Sequence, residues 1–213
     1  FVGYRYYDKK DIDVLFPFGY GLSYTRFEYT EISVDKKEIY DDETVNVTVK
    51  VKNVGNLAGK EIVQLYLRDV ESSVIRPEKE LKAFDKVFLN PGEEKSITFT
   101  LGKRAFAYYN VDIKDWYVEE GEFEILVGSS SKDIALRKTI YVKSSKKLKK
   151  EFTRNSTIGD LAQTEKGQKV LEKLINEMEK SGVISPESRL NPERMASFMK
   201  YTPLRALVPF SKA

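Results

Sequence analysis

Apolar and polar residues alternate with a period of two through the middle of the chain. Val45, Val47, Val49 and Val51 are separated by polar residues, so an extended strand here has one apolar and one polar face. Similar but in places less regular patterns predict six more strands, at residues 27–34, 61–68, 81–88, 97–101, 123–127 and 134–142. Seven short strands at this spacing are typical of a mainly β, immunoglobulin-like antiparallel β-sandwich, which we assign to residues 27–143.

The period changes to that of a helix in the last third of the chain. Apolar residues from Val170 to Met178 follow helical spacing, and this pattern ends at Lys180-Ser181-Gly182. Asn191-Pro192 predicts the start of a second helix, and Thr202-Pro203 that of a short last turn. Such short helices with one apolar face are unstable alone. We therefore expect residues 144–213 to be a basic linker and a helical extension that packs on another surface.

The first 26 residues are unusually rich in aromatic side chains. Ten of the chain's 26 aromatic residues fall within its first 29 positions, among Gly3, Pro17, Gly19 and Gly21. Glycine and proline disfavour a helix and predict an extended, sharply bent path. A segment of this kind has too few neighbours of its own to bury its rings. We therefore expect residues 1–26 to cross between two domains, and we expect further sequence before Phe1. The predicted docking residues are Tyr4, Arg5, Tyr6, Tyr7, Phe16, Phe18 and Tyr20.

Composition excludes several kinds of site. The chain contains neither Cys nor His, so it offers no disulfide, no thiolate or imidazole metal ligand and no imidazole base. We predict no cofactor and no metal, and the lack of Cys favours a cytoplasmic location. The net charge is +3, with a basic run at residues 146–150. No aromatic platform or recognition helix accompanies this run, so we interpret it as a solvated linker and expect neither nucleic-acid nor membrane binding.

Several phrases resemble one enzyme family. GYRYYD at residues 3–8, FPFGYGLSYTRFEY at 16–29 and NVGNLAGKEIVQLYLRD at 53–69 occur in order. They are followed by RPEKELKAFDKVFLNPGEEKSITFTL at 76–101 and WYVEEGEFEILVGSSSKDI at 116–134. These phrases resemble the fibronectin type III-like domain of glycoside hydrolase family 3 and the connection that leads into it. STIGDL and PLRALVPF near the end look like the tail of the family's β-glucosidase branch.

The resemblance implies a role without catalysis in this chain. Retaining glycosidases use two carboxyl groups about 5–5.5 Å apart. In this family the nucleophile is an Asp of an N-terminal barrel and the general acid is usually a Glu of an α/β domain. Both would precede Phe1. The implied partners are those two domains and, through the whole enzyme, a β-glucoside, and a homo-oligomer is left open.

Three local acidic features are candidates for catalytic carboxylates. Asp115-Trp116 superficially resembles the family's nucleophile motif, but Lys114 stands where that motif has Ser. Asp41-Asp42 and Glu119-Glu120 are adjacent pairs, and neighbouring residues of a strand point to opposite faces. We interpret both pairs as solvated turn ends and predict no catalytic residue.

A second function class remains open at this stage. The chain could be a free-standing fibronectin type III-like module for carbohydrate binding or adhesion, with Tyr108, Tyr109 and Trp116 as a sugar-stacking surface. The aromatic segment distinguishes the two hypotheses, because a free module would leave those rings in water.

Overall fold

The computed structural model describes residues 1–146, 148, 152–162, 164–180, 182 and 200–206. The chain forms two compact units, Phe1–Lys147 and Leu148–Ala213. The first contains almost all of the β-structure described, and two helices are described in the second.

The first unit is a sandwich of two sheets, which confirms the predicted mainly β fold. One sheet has three strands in the order β1-β3-β6, and the other has five in the order β2-β10-β9-β4-β5. Every neighbouring pair is antiparallel except β2 with β10. All seven predicted strands are present. They are β1 Phe27–Val34, β3 Val45–Asn53, β4 Gly59–Asp69, β5 Glu80–Leu89, β6 Glu94–Leu101, β9 Gly121–Gly128 and β10 Ile134–Lys143.

The core lies between the two sheets and follows the alternation of the sequence. The four alternating valines of β3 are fully buried. Val63, Leu65 and Leu67 of β4 are buried in the same core cluster. Burying each such side chain contributes about 1.5–3 kcal/mol, so this cluster is the main stabilising element of the unit.

In the first unit, three short strands and two short helices were not predicted. β2 Glu38–Tyr40 adds a parallel edge strand beside β10, and β7 Tyr108–Asn110 pairs with β8 Asp115–Tyr117 in a hairpin. α2 Lys103–Phe106 follows β6. The expectation of an extended path is wrong for α1 Tyr4–Lys9, which is a helix of six residues.

The second unit contains α3 Ile158–Ala162 and α4 Glu165–Lys180. The prediction of a helix through Val170 that ends before Gly182 is confirmed, and Gly182 adopts φ +74°. Residues 204–206 form one turn of 3₁₀-helix, where a short last turn was predicted. The helix predicted from Asn191-Pro192 lies outside the described residues.

Candidate docking surface

The aromatic strap, as we call residues 1–26, is attached to the five-stranded sheet through one face of α1. The Tyr4 hydroxyl oxygen accepts a hydrogen bond from the Leu81 N–H at 2.8 Å. Asp8, one helical turn later, binds Lys79 at 2.7 Å, and both side chains are largely buried. Arg5 pairs with Glu80 at 3.2 Å. Because residues four apart share a helix face, α1 is held along its length by β5 and the residues just before it.

The second half of the strap is attached at Gly19. The Gly19 carbonyl accepts a hydrogen bond from the Gln64 side-chain amide at 3.1 Å. The neighbouring Phe18 carbonyl accepts one from the Ser131 N–H at 2.9 Å. The Phe18 ring stacks on the ring of Tyr4, with 4.6 Å between centroids. The two halves of the strap therefore contact each other as well as the sheet.

Gln64 and Tyr66 lie beneath the strap on the outer face of β4. Tyr66 is fully buried and donates its hydroxyl proton to the Gln64 side-chain carbonyl. The rings of Tyr66 and Tyr4 meet edge to face, with 6.0 Å between their centroids. Burial raises the pKa of Tyr66 well above its ordinary value, so the hydroxyl stays protonated and can donate. The strap thus covers a polar pair that would otherwise face water.

The opposite side of the strap is exposed and apolar. Phe16 is 68% exposed, Tyr20 50% and Phe18 46%. Tyr6 and Tyr7 are also exposed, and their rings meet edge to face. Additional exposed apolar side chains of the strap are Val2, Ile12, Leu15, Leu22 and Tyr24. Exposed apolar area on this scale is typical of an interaction site.

The exposed apolar area continues onto the sheet beside the strap. Phe84 pairs with Gln64 across the β4–β5 ladder, so both side chains lie on the outer face. Ile62 and Phe88 lie on the same face and are exposed. We call the outer side of the strap together with Ile62, Phe84 and Phe88 the docking surface.

The predicted docking residues therefore divide into two groups. Tyr4 and Arg5 point to the sandwich and attach the strap. Tyr6, Tyr7, Phe16, Phe18 and Tyr20 form the exposed side. The prediction that all seven contact another domain is corrected for Tyr4 and Arg5, because both already have partners in the sandwich.

A shared carboxylate organises the charges at the edge of this surface. Glu80 contacts Arg5, Arg76 and Lys82 at 3.2, 3.5 and 3.2 Å. Burial would raise the pKa of Glu80, but the surrounding cations hold it below its ordinary value. Burial lowers the pKa of Lys82. Arg76 also binds the buried Asp69 at 2.8 Å.

Gln64 and Tyr66 were missed by the sequence analysis as strap contacts. A usable signal was present, because the outward positions of β4 read Ile62, Gln64, Tyr66 and Arg68. The side chain of Ile62 and the ring of Tyr66, at positions that should face water, indicate that another segment covers part of this face.

The acidic candidates have structural partners. Asp115 lies on the exposed end of β8 and pairs with Lys146 at 3.5 Å. A hydrogen bond from the Trp116 N–H, together with nearby lysines, lowers the pKa of Asp115, so this carboxylate is charged and pairs with Lys146. Glu119 accepts hydrogen bonds from the Ser72 hydroxyl and the Ser73 N–H.

Asp41 is not a solvated turn end, as the sequence analysis expected. Its side chain is 2% exposed. It accepts a hydrogen bond from the Ser145 N–H at 2.9 Å and forms an ion pair with Lys103 at 3.2 Å. Burial would raise the pKa of Asp41, but the contacts with Ser145 and Lys103 outweigh it and lower the pKa. The carboxylate therefore ties the end of β10 to α2.

The three aromatic residues considered for sugar stacking are largely engaged. The Arg104 guanidinium carbon lies 3.3 Å from the centroid of Trp116. Tyr108 packs edge to face on Tyr117, and Tyr109 packs in the same way on Trp116. Arg104 therefore covers one face of the Trp116 ring, whereas Tyr109 remains 49% exposed.

Neither a metal site nor a membrane span was found in the described part of the chain. No group of three or more acidic side chains there could hold a metal ion. None of the helices described is long and apolar enough to cross a membrane.

Comparison with known proteins agrees with this architecture. Residues 61–131 match the model of the fibronectin type III-like domain. The chain is 58% identical to thermostable beta-glucosidase B of Acetivibrio thermocellus over all of its own length and 28% of that protein's. It is 44% identical to an exo-alpha-(1->6)-L-arabinopyranosidase of Bifidobacterium breve, covering 80% of this chain and 22% of the relative.

A solved structure shows the same relation. The GH3 beta-glucosidase of Bifidobacterium adolescentis is 42% identical with a TM-score of 0.68, over 80% of this chain and 25% of that one. The chain corresponds to the C-terminal region of glycoside hydrolase family 3 enzymes. It spans about a quarter of the length of these family 3 relatives.

Proposed function

We propose that this chain is the non-catalytic C-terminal portion of a family 3 β-glucosidase and braces the domains that carry the active site. The observation that carries the proposal is the two-sided strap. One side is fixed to the sandwich by Tyr4, Asp8 and Gly19, and the strap also exposes the aromatic rings of residues 6, 7, 16, 18 and 20. A free-standing module would leave that apolar area in water at a considerable free-energy cost.

The proposed parent reaction is the hydrolysis of terminal β-D-glucosyl residues with retention of configuration. This proposal rests on the relatives, since the acidic candidates described above have structural roles. The named relatives include an arabinopyranosidase beside two β-glucosidases. The choice of sugar is therefore assigned to subsite residues of the other domains.

The docking role can be tested by reassembly from two chains. The preceding domains of the same enzyme are produced separately and titrated with this chain, and association is measured by calorimetry. Phe16→Ser combined with Tyr20→Ser should weaken association by tenfold or more, since burying each ring contributes about 1.5–3 kcal/mol.

Tyr40→Ser is the matched control. Tyr40 is 52% exposed, nearly the same as Tyr20, but it lies on β2 at the other edge of the sheet. This variant should bind like the unmodified chain. An equal loss of affinity in the Tyr40→Ser variant and the double variant would contradict the proposed surface. Unchanged binding by the double variant would contradict it as well.

A further inference from the structure

A cleft of about 620 Å³ lies beside the docking surface. It is lined by the β7–β8 hairpin, by residues 74–77 and by Phe1 and Arg5 of the strap. A cleft of this volume can hold a ligand of several hundred daltons rather than a single small ion.

The lining of the cleft combines exposed apolar side chains with cations. Ile75 is 85% exposed and Val111 72%, and Val74 and Tyr109 are also exposed. The charged lining residues are Arg5, Arg76, Lys82 and Arg104 against Glu80 and Asp112. The cations therefore outnumber the carboxylates.

Three of the four lining cations already have carboxylate partners. Arg5, Arg76 and Lys82 all contact Glu80, and Arg76 has Asp69 as a second partner. Arg104 differs, because it forms no ion pair and no hydrogen bond within the residues that the structure describes. Asp112 also lines the cleft but makes no ion pair with Arg104.

The contact between Arg104 and Trp116 orients the guanidinium so that its N–H groups can bind an anion. Its carbon lies 3.3 Å from the ring centroid, a distance at which a guanidinium stacks on an aromatic face. Stacking occupies the face of the guanidinium and leaves the N–H groups at its edge for hydrogen bonds. Those N–H groups match the two oxygens of a carboxylate, and a stacked Arg loses less conformational freedom on binding.

We propose that this cleft binds the carboxylate of an acidic side chain in a polypeptide segment with apolar flanking residues, and that Arg104 is its receptor. The carboxylate would pair with Arg104, for which the described residues of the chain supply no counterion. The apolar flanks cover Ile75, Val111 and their neighbours, which a free anion would leave exposed. The volume of the cleft also suits a short segment better than a single carboxylate ion.

Trp116 provides a direct measurement, because it is the only tryptophan in the sequence. The probe is the peptide acetyl-Leu-Glu-Leu-amide, and the matched control peptide has Gln in place of Glu. The glutamate peptide should change the fluorescence of Trp116 saturably. The affinity of the glutamine peptide should be lower by about tenfold or more, as expected when a charge-assisted hydrogen bond is lost. Equal binding of both peptides, or no saturable change with the glutamate peptide, would overturn the proposal.

Variants of the chain identify the receptor. Arg104→Gln should weaken binding of the glutamate peptide by about tenfold or more, and Arg104→Lys should bind with intermediate affinity. Arg137→Gln, which removes an Arg that does not line this cleft, should bind normally. Because replacing Arg104 also alters the fluorescence of Trp116, backbone amide shifts of residues 104–112 give a second readout. Unchanged peptide binding by the Arg104→Gln variant would contradict the assignment.

Acetate distinguishes a polypeptide segment from a free carboxylate. If the apolar flanks contribute, acetate should bind at least tenfold more weakly than the glutamate peptide. Acetate binding with the same midpoint would refute the assignment of a polypeptide partner.

Discussion

Gly19 shows how a single residue can hold the strap on the sheet. Its φ is +79°, and a Cβ built there would lie 2.1 Å from the Gln64 side-chain oxygen. Gly19→Ala should therefore strain the backbone and displace Gln64, lowering the free energy of unfolding by about 1–3 kcal/mol. Urea denaturation measures this loss, and limited proteolysis within residues 1–26 should become faster.

Gly21→Ala is the matched control for that change. Gly21 has no positive φ, and a Cβ there would meet nothing within 4 Å. The free energy of unfolding of the Gly21→Ala variant should stay within about 0.5 kcal/mol of that of the unmodified chain. If both alanine variants are equally stable, Gly19 does not fix the strap.

Glu61 should make stability depend on pH. Burial raises its pKa above the ordinary 4.5, and nearby Asp133 raises it further, although the hydrogen bond from Tyr29 opposes this. A raised folded-state pKa contributes stability that is fully present below pH 4.5 and is lost as pH rises through the raised value. Glu61→Gln removes this titration, so the variant should gain stability relative to the unmodified chain across that window. Urea denaturation at a series of pH values measures the difference.

Asp35 provides the opposite case. Hydrogen bonds from Asn46 hold its pKa below the ordinary 3.8. The stability that it contributes is present above pH 3.8 and lost as pH falls through the lowered value. Asp35→Asn should therefore change the pH dependence of stability only on the acidic side.

For Glu61, a constant difference in unfolding free energy between the Glu61→Gln variant and the unmodified chain over pH 4–8 would show that Glu61 is not desolvated as described.

At the scale of elements, long alternating strands could be predicted and short elements could not. The valines of β3 gave a clear period because one face of that strand is fully buried. β2, β7 and β8 have three residues each, too few to show a period. α1 is helical despite the nearby glycine because its contacts with β5 and the residues before it are tertiary, which local propensity cannot reveal.

The candidate surface was only partly predictable, because its contacts with the sandwich are tertiary. Aromatic crowding in the strap predicts a partner surface, and five of the seven predicted docking residues have exposed rings in this chain. The sequence did not show which rings the sandwich itself would engage. Tyr4 is held by Leu81, 77 positions away, and such a pairing depends on the folded sheet.

Both helices that the structure describes in the second unit follow a threonine whose side chain caps them, Thr157 for α3 and Thr164 for α4. The Thr157 hydroxyl oxygen accepts a hydrogen bond from the Asp160 N–H at 3.1 Å, and the Asp160 carboxylate accepts one from the Thr157 N–H at 2.9 Å. Thr157→Ala removes half of this capping box and should destabilise α3 by about 1 kcal/mol. Hydrogen exchange of the amides of residues 158–162 should become faster. Thr157→Ser keeps the hydroxyl and should exchange at the normal rate, and equally fast exchange in both variants would contradict the cap.

At the scale of the whole molecule, we expect this chain alone not to hydrolyse nitrophenyl β-glucoside. Its candidate carboxylates are engaged structurally, and the proposed active site belongs to other domains. Product release measured spectrophotometrically should stay at the background rate. Asp115→Asn is the control, and turnover that disappears in this variant would refute the prediction.

The helical extension should stabilise the enzyme of which we propose this chain to be a part. Leu171, Leu174 and Ile175 form the apolar face of α4 and are only half-buried within the described residues. If another surface covers them, ending that enzyme after the position of Lys150 should lower its stability by several kcal/mol, since each buried side chain contributes about 1.5–3 kcal/mol. The melting temperature should fall first, and activity should be lost only as a consequence.

A point variant separates this effect from the loss of many residues. Leu174→Ser in the whole enzyme should lower the melting temperature, whereas Val170→Ser, at a position that is 48% exposed, should leave it nearly unchanged. An unchanged melting temperature after truncation would refute the stabilising role. A truncated enzyme that stays folded but prefers a different glycoside would show instead that the extension reaches the rim of the active site.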